Sequence, residues 1–206
     1  MPTGFLILSR TVESGDSDAD ILAYFGYTGQ RNREFIALVL LLAASLFFIV
    51  FVSVLRGRLE YAEGGAGVWT MAAFGAGLVS TALWTVAAAL YAVPSLQTYG
   101  KDGFQLDPDT FRLLNSAGFV VWYSGGTIMS VLVLATSVLG IRAGVVPRWL
   151  SWLGFAVALL LLAAFAVIPV IVLLAWLLTV SSALVWRGDT PRYPLPRHED
   201  DAARPR

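Results

Sequence analysis

Cysteine is absent from the 206 residues, which excludes disulfides, thiolate metal sites and a thiol nucleophile while leaving the compartment open. Histidine occurs once, as His198 near the C-terminus. Charge is scarce: 14% of residues are Asp, Glu, Lys or Arg, against roughly 25% in an average soluble domain. The formal net charge is zero. With no basic helix face recurring along the chain, nothing offers a footprint for nucleic acid or an acidic partner. What is abundant is apolar sequence, 57% of the chain, and the few charges avoid four long blocks of it. Such segregation fits lipid, and an all-α polytopic transmembrane bundle is the fold class it implies.

The longest block, Trp149 to Trp186, is a run of 38 residues without a charge, interrupted in its apolar middle by Pro169. As one rod it would reach about 57 Å, against a hydrocarbon core of about 30 Å. Cut near Ile168-Pro169 it becomes a helical hairpin, with Trp149, Trp152 and Trp186 near the headgroup levels where Trp is favoured. Proline is also tolerated inside spans, so a single kinked, tilted helix remains the alternative. The hairpin gives five spans, at about 35–55, 68–91, 117–140, 149–167 and 170–186; the kinked helix gives four.

The first 34 residues form a polar segment. Phe5 to Leu8 is too short to span and lacks the basic flank and apolar length of a signal peptide. Asp16-Ser17-Asp18-Ala19-Asp20 has the alternation of a calcium loop, but Ile21 stands where that loop needs Gly and Tyr27 where it needs Glu. Acids at a helix N-terminus account for it better, opening a short interfacial helix to about Arg33. The first span then ends at Arg56-Gly57-Arg58, and a Gly-rich connector runs to about Gly67.

In the second span Ala72, Ala76 and Ser80 recur every four residues beside Ala73, Gly77 and Thr81, a stripe that permits close helix packing. Tyr91 and Pro94 mark its exit. Asp107-Pro108-Asp109 is a helix start: an Asp cap, a Pro at the first position and a further acid. The third span carries Trp122-Tyr123-Ser124-Gly125-Gly126-Thr127, the most polar stretch inside any span. Two uses compete for it: helix contact through residues such as Gly126, or a ligand pocket lined by Trp84, Tyr91, Trp122, Tyr123, Ser124 and Thr127. The tail, 187–206, holds four prolines, five arginines and four acids, and reads as disordered. Its Arg187-Gly188-Asp189 and its Pro191-to-Pro194 spacing resemble short recognition motifs that arise by chance.

Five spans place Arg10, Arg31, Arg33, Lys101 and Arg112 on one side. Arg56, Arg58, Arg142, Arg148 and the five tail arginines fall on the other, five against nine. The positive-inside rule then puts the N-terminus outside and the tail in the cytoplasm. Four spans move the tail, make the count ten against four and place both termini inside, so charge alone does not choose; near the spans Arg31 and Arg33 balance Arg56 and Arg58, and Arg142 and Arg148 tip slightly toward five.

The order of pieces resembles a family of uncharacterised small multi-spanning membrane proteins of high-GC Gram-positive bacteria. The resemblance rests on "AYF...RNREF" ahead of the first span, "LRGRLEYAEGGAG" after it, "LDPDTFRLLN" before the third, "GIRAGVVPRWLSWLG" before the hairpin and "AWLLTVSSALVWR" at its close. It covers about Ala19 to Arg187. It implies a bacterial plasma-membrane bundle, with one more span at the N-terminus in the usual member, where only Gly4 to Leu8 stands here. The family has no established activity, so no functional residue is carried over.

Ionisable residues inside spans mark ion paths and catalytic groups. None lies in the four blocks, which argues against a proton-coupled transporter and a metal-dependent membrane enzyme, and no cofactor or metal is expected. Three functions remain. The preferred one is a non-catalytic accessory or regulatory bundle that packs on another membrane protein, or on itself, through small-residue faces. The second is a carrier of a neutral or lipidic molecule in the aromatic pocket. The third is an enzyme using loop carboxylates such as Glu60, Asp102 and Asp107.

Overall fold

An apolar segment in lipid has one local way to satisfy every backbone N–H and C=O, the α-helix. In the computed structural model, which describes residues 15, 17–19, 21–22, 28–65, 67–98, 107–163 and 168–186, every long element is one. The five helices are α1 (Thr28–Glu63), α2 (Val68–Thr98), α3 (Pro108–Ala143), α4 (Arg148–Ala163) and α5 (Ile168–Trp186), and no strand occurs among the described residues. The all-helical class is therefore as expected. Three of the five, α1, α2 and α3, are long and apolar enough to cross a membrane. The α4 and α5 helices are apolar but shorter. At 16 residues α4 reaches about 24 Å, less than a hydrocarbon core of about 30 Å.

Helix ends depart from the expected limits. The α1 helix is continuous from Thr28, so no separate interfacial helix stops at Arg33; the stretch 23–27 before it lies outside the described residues. It also runs through Arg56-Gly57-Arg58 to Glu63. Charge does not terminate a helix, and here Arg56 pairs with Glu60 one turn on, 3.8 Å away, and lies over the Phe74 ring of α2 at 4.9 Å. What stops α1 is Gly64, at φ 79°, where Gly65 N–H donates to Glu60 C=O and Gly64 N–H to Tyr61 C=O. That pair of bonds closes the orphan carbonyls, and the left-handed backbone favours glycine. In α2 the helix passes Tyr91 and absorbs Pro94, ending at Thr98. A buried proline is accommodated because neighbouring helices support the weakened turn.

The α3 start is where Asp107-Pro108-Asp109 places it. Asp107 is extended and accepts from Thr110 N–H (3.1 Å) and the Thr110 hydroxyl (2.7 Å), with Pro108 first in the helix. Gly144, at φ 70°, ends α3 by donating to Gly140 C=O. Within the 38-residue run α4 reaches Ala163 and α5 starts at Ile168, with 164–167 outside the described residues, and Pro169 is the second residue of α5. There its missing N–H leaves no bond unmade.

The first four helices run antiparallel in turn, as matched contacts show: Ser45–Thr85 and Val52–Gly77 across α1 and α2, Gly77–Leu132 and Tyr91–Gly118 across α2 and α3, and Gly140–Ser151 and Ser137–Gly154 across α3 and α4. The α3 helix is the hub, packed on α2, α4 and α1. Of its most apolar stretch 56% is buried, against 6% for α1. Buried positions on α4 (Leu150, Ser151, Gly154, Val157, Ala158, Leu161) and on α5 (Leu173, Trp176, Leu177, Val180) recur every three or four residues, one face each.

Hydrogen bonding from Thr110 holds the Asp107 carboxyl below the usual Asp range. The cap therefore stabilises the α3 start fully above the pKa of an unfolded Asp, and that contribution is lost as pH falls through the lower folded value. Amide protection in the first turn of α3, taken relative to the intrinsic exchange rate at each pH, should fall at acid pH in the native chain. Asp107→Asn should lose that acid-specific fall; an identical protection profile in both would refute the cap.

Candidate functional site

The seam between α2 and α3 is built from paired large and small side chains. On α2 the innermost residues are Ala73, Gly77, Ser80, Thr81 and Ala87, with the rings of Trp84 and Tyr91 following at the same helical spacing. Opposite them α3 presents glycine. A Cβ on Gly118 would come within 3.1 Å of the Tyr91 ring, and one on Gly125 within 2.7 Å of the Trp84 indole. Each ring fills the groove that a glycine leaves. Trp84 also donates Nε1–H to the Trp122 carbonyl at 3.1 Å and stacks on the Trp122 ring, centroids 5.4 Å apart. A helix carbonyl has a second lone pair, so it can accept the indole while keeping its own helical bond.

The same device returns between α4 and α5. Trp176 is buried, donates Nε1–H to Leu150 C=O at 3.1 Å, and lies against Gly154. On the α3–α4 seam the small residues interlock in pairs, Gly140 beneath the Ser151 hydroxyl and Gly154 beneath that of Ser137. Such approach allows Cα–H contacts to oxygen across the seam. These residues were not singled out from sequence, although Ser137-x-x-Gly140 and Ser151-x-x-Gly154 repeat one spacing. The Trp176 bond had no local signal, since its acceptor is a backbone atom on another helix.

The six aromatic and hydroxyl residues considered for a pocket divide between two sides of α3. Trp84, Tyr91 and Trp122 belong to the α2 seam. Tyr123 turns to α4, where its hydroxyl donates to Leu162 C=O at 3.1 Å. The Ser124 and Thr127 hydroxyls bond to their own helix, at Val120 C=O (2.8 Å) and Tyr123 C=O (3.1 Å). The packing residues also sort. Ala76, Gly77 and Ser80 are buried inside the chain, Gly77 against Val52 of α1 and Leu132 of α3, and Ala72 is half-buried. Gly126 differs from the expectation of helix contact. A Cβ there would meet nothing within 4 Å, because one step along a helix turns the side chain by about 100° and its neighbour Gly125 takes the seam. Among the described residues the Ser80 and Ser151 hydroxyls are buried without a hydrogen-bond partner.

Acids and arginines gather at the two ends. Where α1 passes to α2, the Glu63 carboxylate accepts from Trp69 N–H (3.2 Å), Thr70 N–H (2.9 Å) and the Thr70 hydroxyl (2.7 Å), so α1 caps α2. Arg142 of α3 lies over the Trp69 ring at 5.9 Å. At the opposite end Arg112 bridges Asp109 (3.0 Å) and Asp18, which ties the N-terminal segment to α3. Glu60 and Asp107 therefore occupy opposite ends, and Asp102 lies outside the described residues. Among the described residues no group of three or more His, Cys, Asp or Glu is placed to hold a metal ion.

Against this geometry, no family model, no curated protein and no solved structure matches the chain.

Two substitutions separate the adjacent glycines. Gly125→Leu should drive a side chain into Trp84 and destabilise the bundle by about 1–3 kcal/mol, whereas Gly126→Ala should be neutral or slightly stabilising. Trp84→Phe, which keeps a ring but removes the donor, should cost about 0.5–1.5 kcal/mol. Unfolding of the detergent-solubilised protein reads all three. Equal effects at 125 and 126 would contradict the seam.

Proposed function

We propose that the chain is a five-span protein of the bacterial plasma membrane that acts as a non-catalytic accessory bundle, packing beside another membrane protein. This keeps to the family resembled in sequence, in which no activity is established. In that topology α4 and α5 complete their crossings with the residues that join them, and the tail lies in the cytoplasm. Support for the topology comes from the antiparallel order of α1 to α4 and from Arg142 and Arg148, which tip the arginine comparison toward five spans.

The observation that carries the functional reading is the exposure of α1: 6% of its most apolar stretch is buried inside the chain, against 33% for α2 and 56% for α3. On α1 the inner face, Phe48, Val52, Leu55 and Leu59, holds the chain together, while Phe47 (77% exposed) and Val50 (61%) point away with Phe35, Val39 and Leu40. The stripe of Ala76 and Ser80 is used inside the chain, so the partner face moves to α1. The carrier reading gains no support from six residues that divide around α3, nor the enzyme reading from acids at opposite ends.

A photo-crosslinking residue at Phe47 or Val50, activated in intact membranes, should yield one discrete protein adduct that the same probe on α3 at Leu132 does not. Lipid adducts alone at both α1 positions would overturn the accessory reading. For topology, the native chain lacks Cys, so Ser14→Cys should react with a membrane-impermeant maleimide in whole cells and Thr190→Cys should react only after the cells are opened. Protection of both until opening would reject five spans.

A further inference from the structure

The end of the bundle where α1 meets α2 and α3 meets α4 has a charge balance unlike that of its opposite. Among the described residues, Arg58, Arg142 and Arg148 have no carboxylate in ion-pair contact; Arg56 is joined to Glu60, and Glu63 is engaged as the cap of α2. At the other end Arg112 is held by two aspartates, and of the arginines described there Arg33 makes no ion pair, against three at this end. The arginine-rich end is also where tryptophan comes to the surface. Trp149 (60% exposed) and Trp152 (67%) begin α4, and Trp69 begins α2 beside Arg142. Below them, toward the middle of the bundle, the outer faces are apolar, as at Leu153, Leu159 and Met71.

A cation at the edge of an apolar surface needs a counter-anion, and indole favours the headgroup level. An anion that suits both is a phosphate carrying acyl chains, because the chains lie on the apolar face while the phosphate meets guanidinium forks that bind it in bidentate fashion. Free phosphate would satisfy the arginines but would gain nothing from Trp149, Trp152 or the faces below. Resting on the membrane reading above, we propose that this end is a collar for anionic phospholipid, with Arg58, Arg142 and Arg148 engaging the headgroups and the three tryptophans setting their depth. It selects lipid by charge and holds the bundle at a fixed height in the anionic cytoplasmic leaflet.

The test uses the full chain in nanodiscs and in detergent, with phosphatidylglycerol and phosphatidylcholine of identical acyl chains. Native mass spectrometry should show phosphatidylglycerol retained over phosphatidylcholine, the preference falling by about fivefold for each of Arg58→Gln, Arg142→Gln and Arg148→Gln. Inorganic phosphate should not compete at concentrations that leave ionic strength unchanged, whereas raised salt should weaken the preference. Arg33→Gln, at the opposite end, should leave it intact, and the helical circular dichroism of each variant confirms folding. Equal retention of the two lipids, an unchanged preference in the single variants, or displacement by inorganic phosphate would each overturn the collar. If both lipids bind equally, the collar fails while the membrane reading stands. If the chain is soluble and monodisperse without detergent, the membrane reading itself fails.

Discussion

A polar group inside a bilayer has no water to turn to, and that constraint organises this chain more than any other. The backbone meets it by forming helices. Side chains meet it by borrowing from those helices: hydroxyls of Thr81, Thr136 and Ser137 return to the carbonyl four residues back. The indoles of Trp84 and Trp176, and the phenol of Tyr123, reach the carbonyl of a different helix. The second kind of bond does more than satisfy a donor, because it fixes how two helices are rotated and staggered. A ring can reach a neighbour's backbone only where side chains do not intervene, so Gly125 and Gly154 are part of the same device as the tryptophans they face.

The hub role of α3 follows from having small residues on two faces. Gly118 and Gly125 face α2, while Ser137 and Gly140 face α4. A helix of large apolar residues on every side, as α1 is outside its inner face, can be excluded from water but cannot be approached closely on several sides at once. In lipid that difference matters because removing apolar surface from acyl chains provides little drive for association; close packing and hydrogen bonds must supply it. The result is a graded bundle, tight where α2, α3 and α4 interlock and open along α1.

Much of this was legible from local signals. Asp107-Pro108-Asp109 marked a helix start because each of its three residues suits a cap for a separate reason; the cut expected near Pro169 adjoins 164–167, which lie outside the described residues. Helix ends were legible only where a residue changes the backbone. Arg56-Gly57-Arg58 ends the apolar run but not α1, since guanidiniums are at home in a helix that projects into headgroups, and Gly64 is the true stop. The seams were harder. Composition places glycine and serine in α3, yet whether Gly125 or Gly126 meets α2 depends on a rotation of one residue, and that is set by the tryptophan on the other helix. The aromatic residues grouped as a pocket had the right neighbourhood in sequence and different sides of α3 in space.

The two ends differ in how their charges are closed, and this bears on how the chain sits in its membrane. Where α3 begins, Asp107 and Asp109 stand at the helix start and Arg112 links Asp109 to Asp18. Where α3 ends, Glu63 caps α2, and the helix dipoles of α1 and α3 bring their negative ends to the same level. Arginines near those C-termini offset the dipoles; among the described residues Arg58, Arg142 and Arg148 make no ion pair, although Arg142 acts on the Glu63 carboxylate through space, and they lie beside exposed indoles. On the collar proposed above, these guanidiniums would find their counter-anions in lipid headgroups, which would give the chain a reason for orientation beside its count of loop charges.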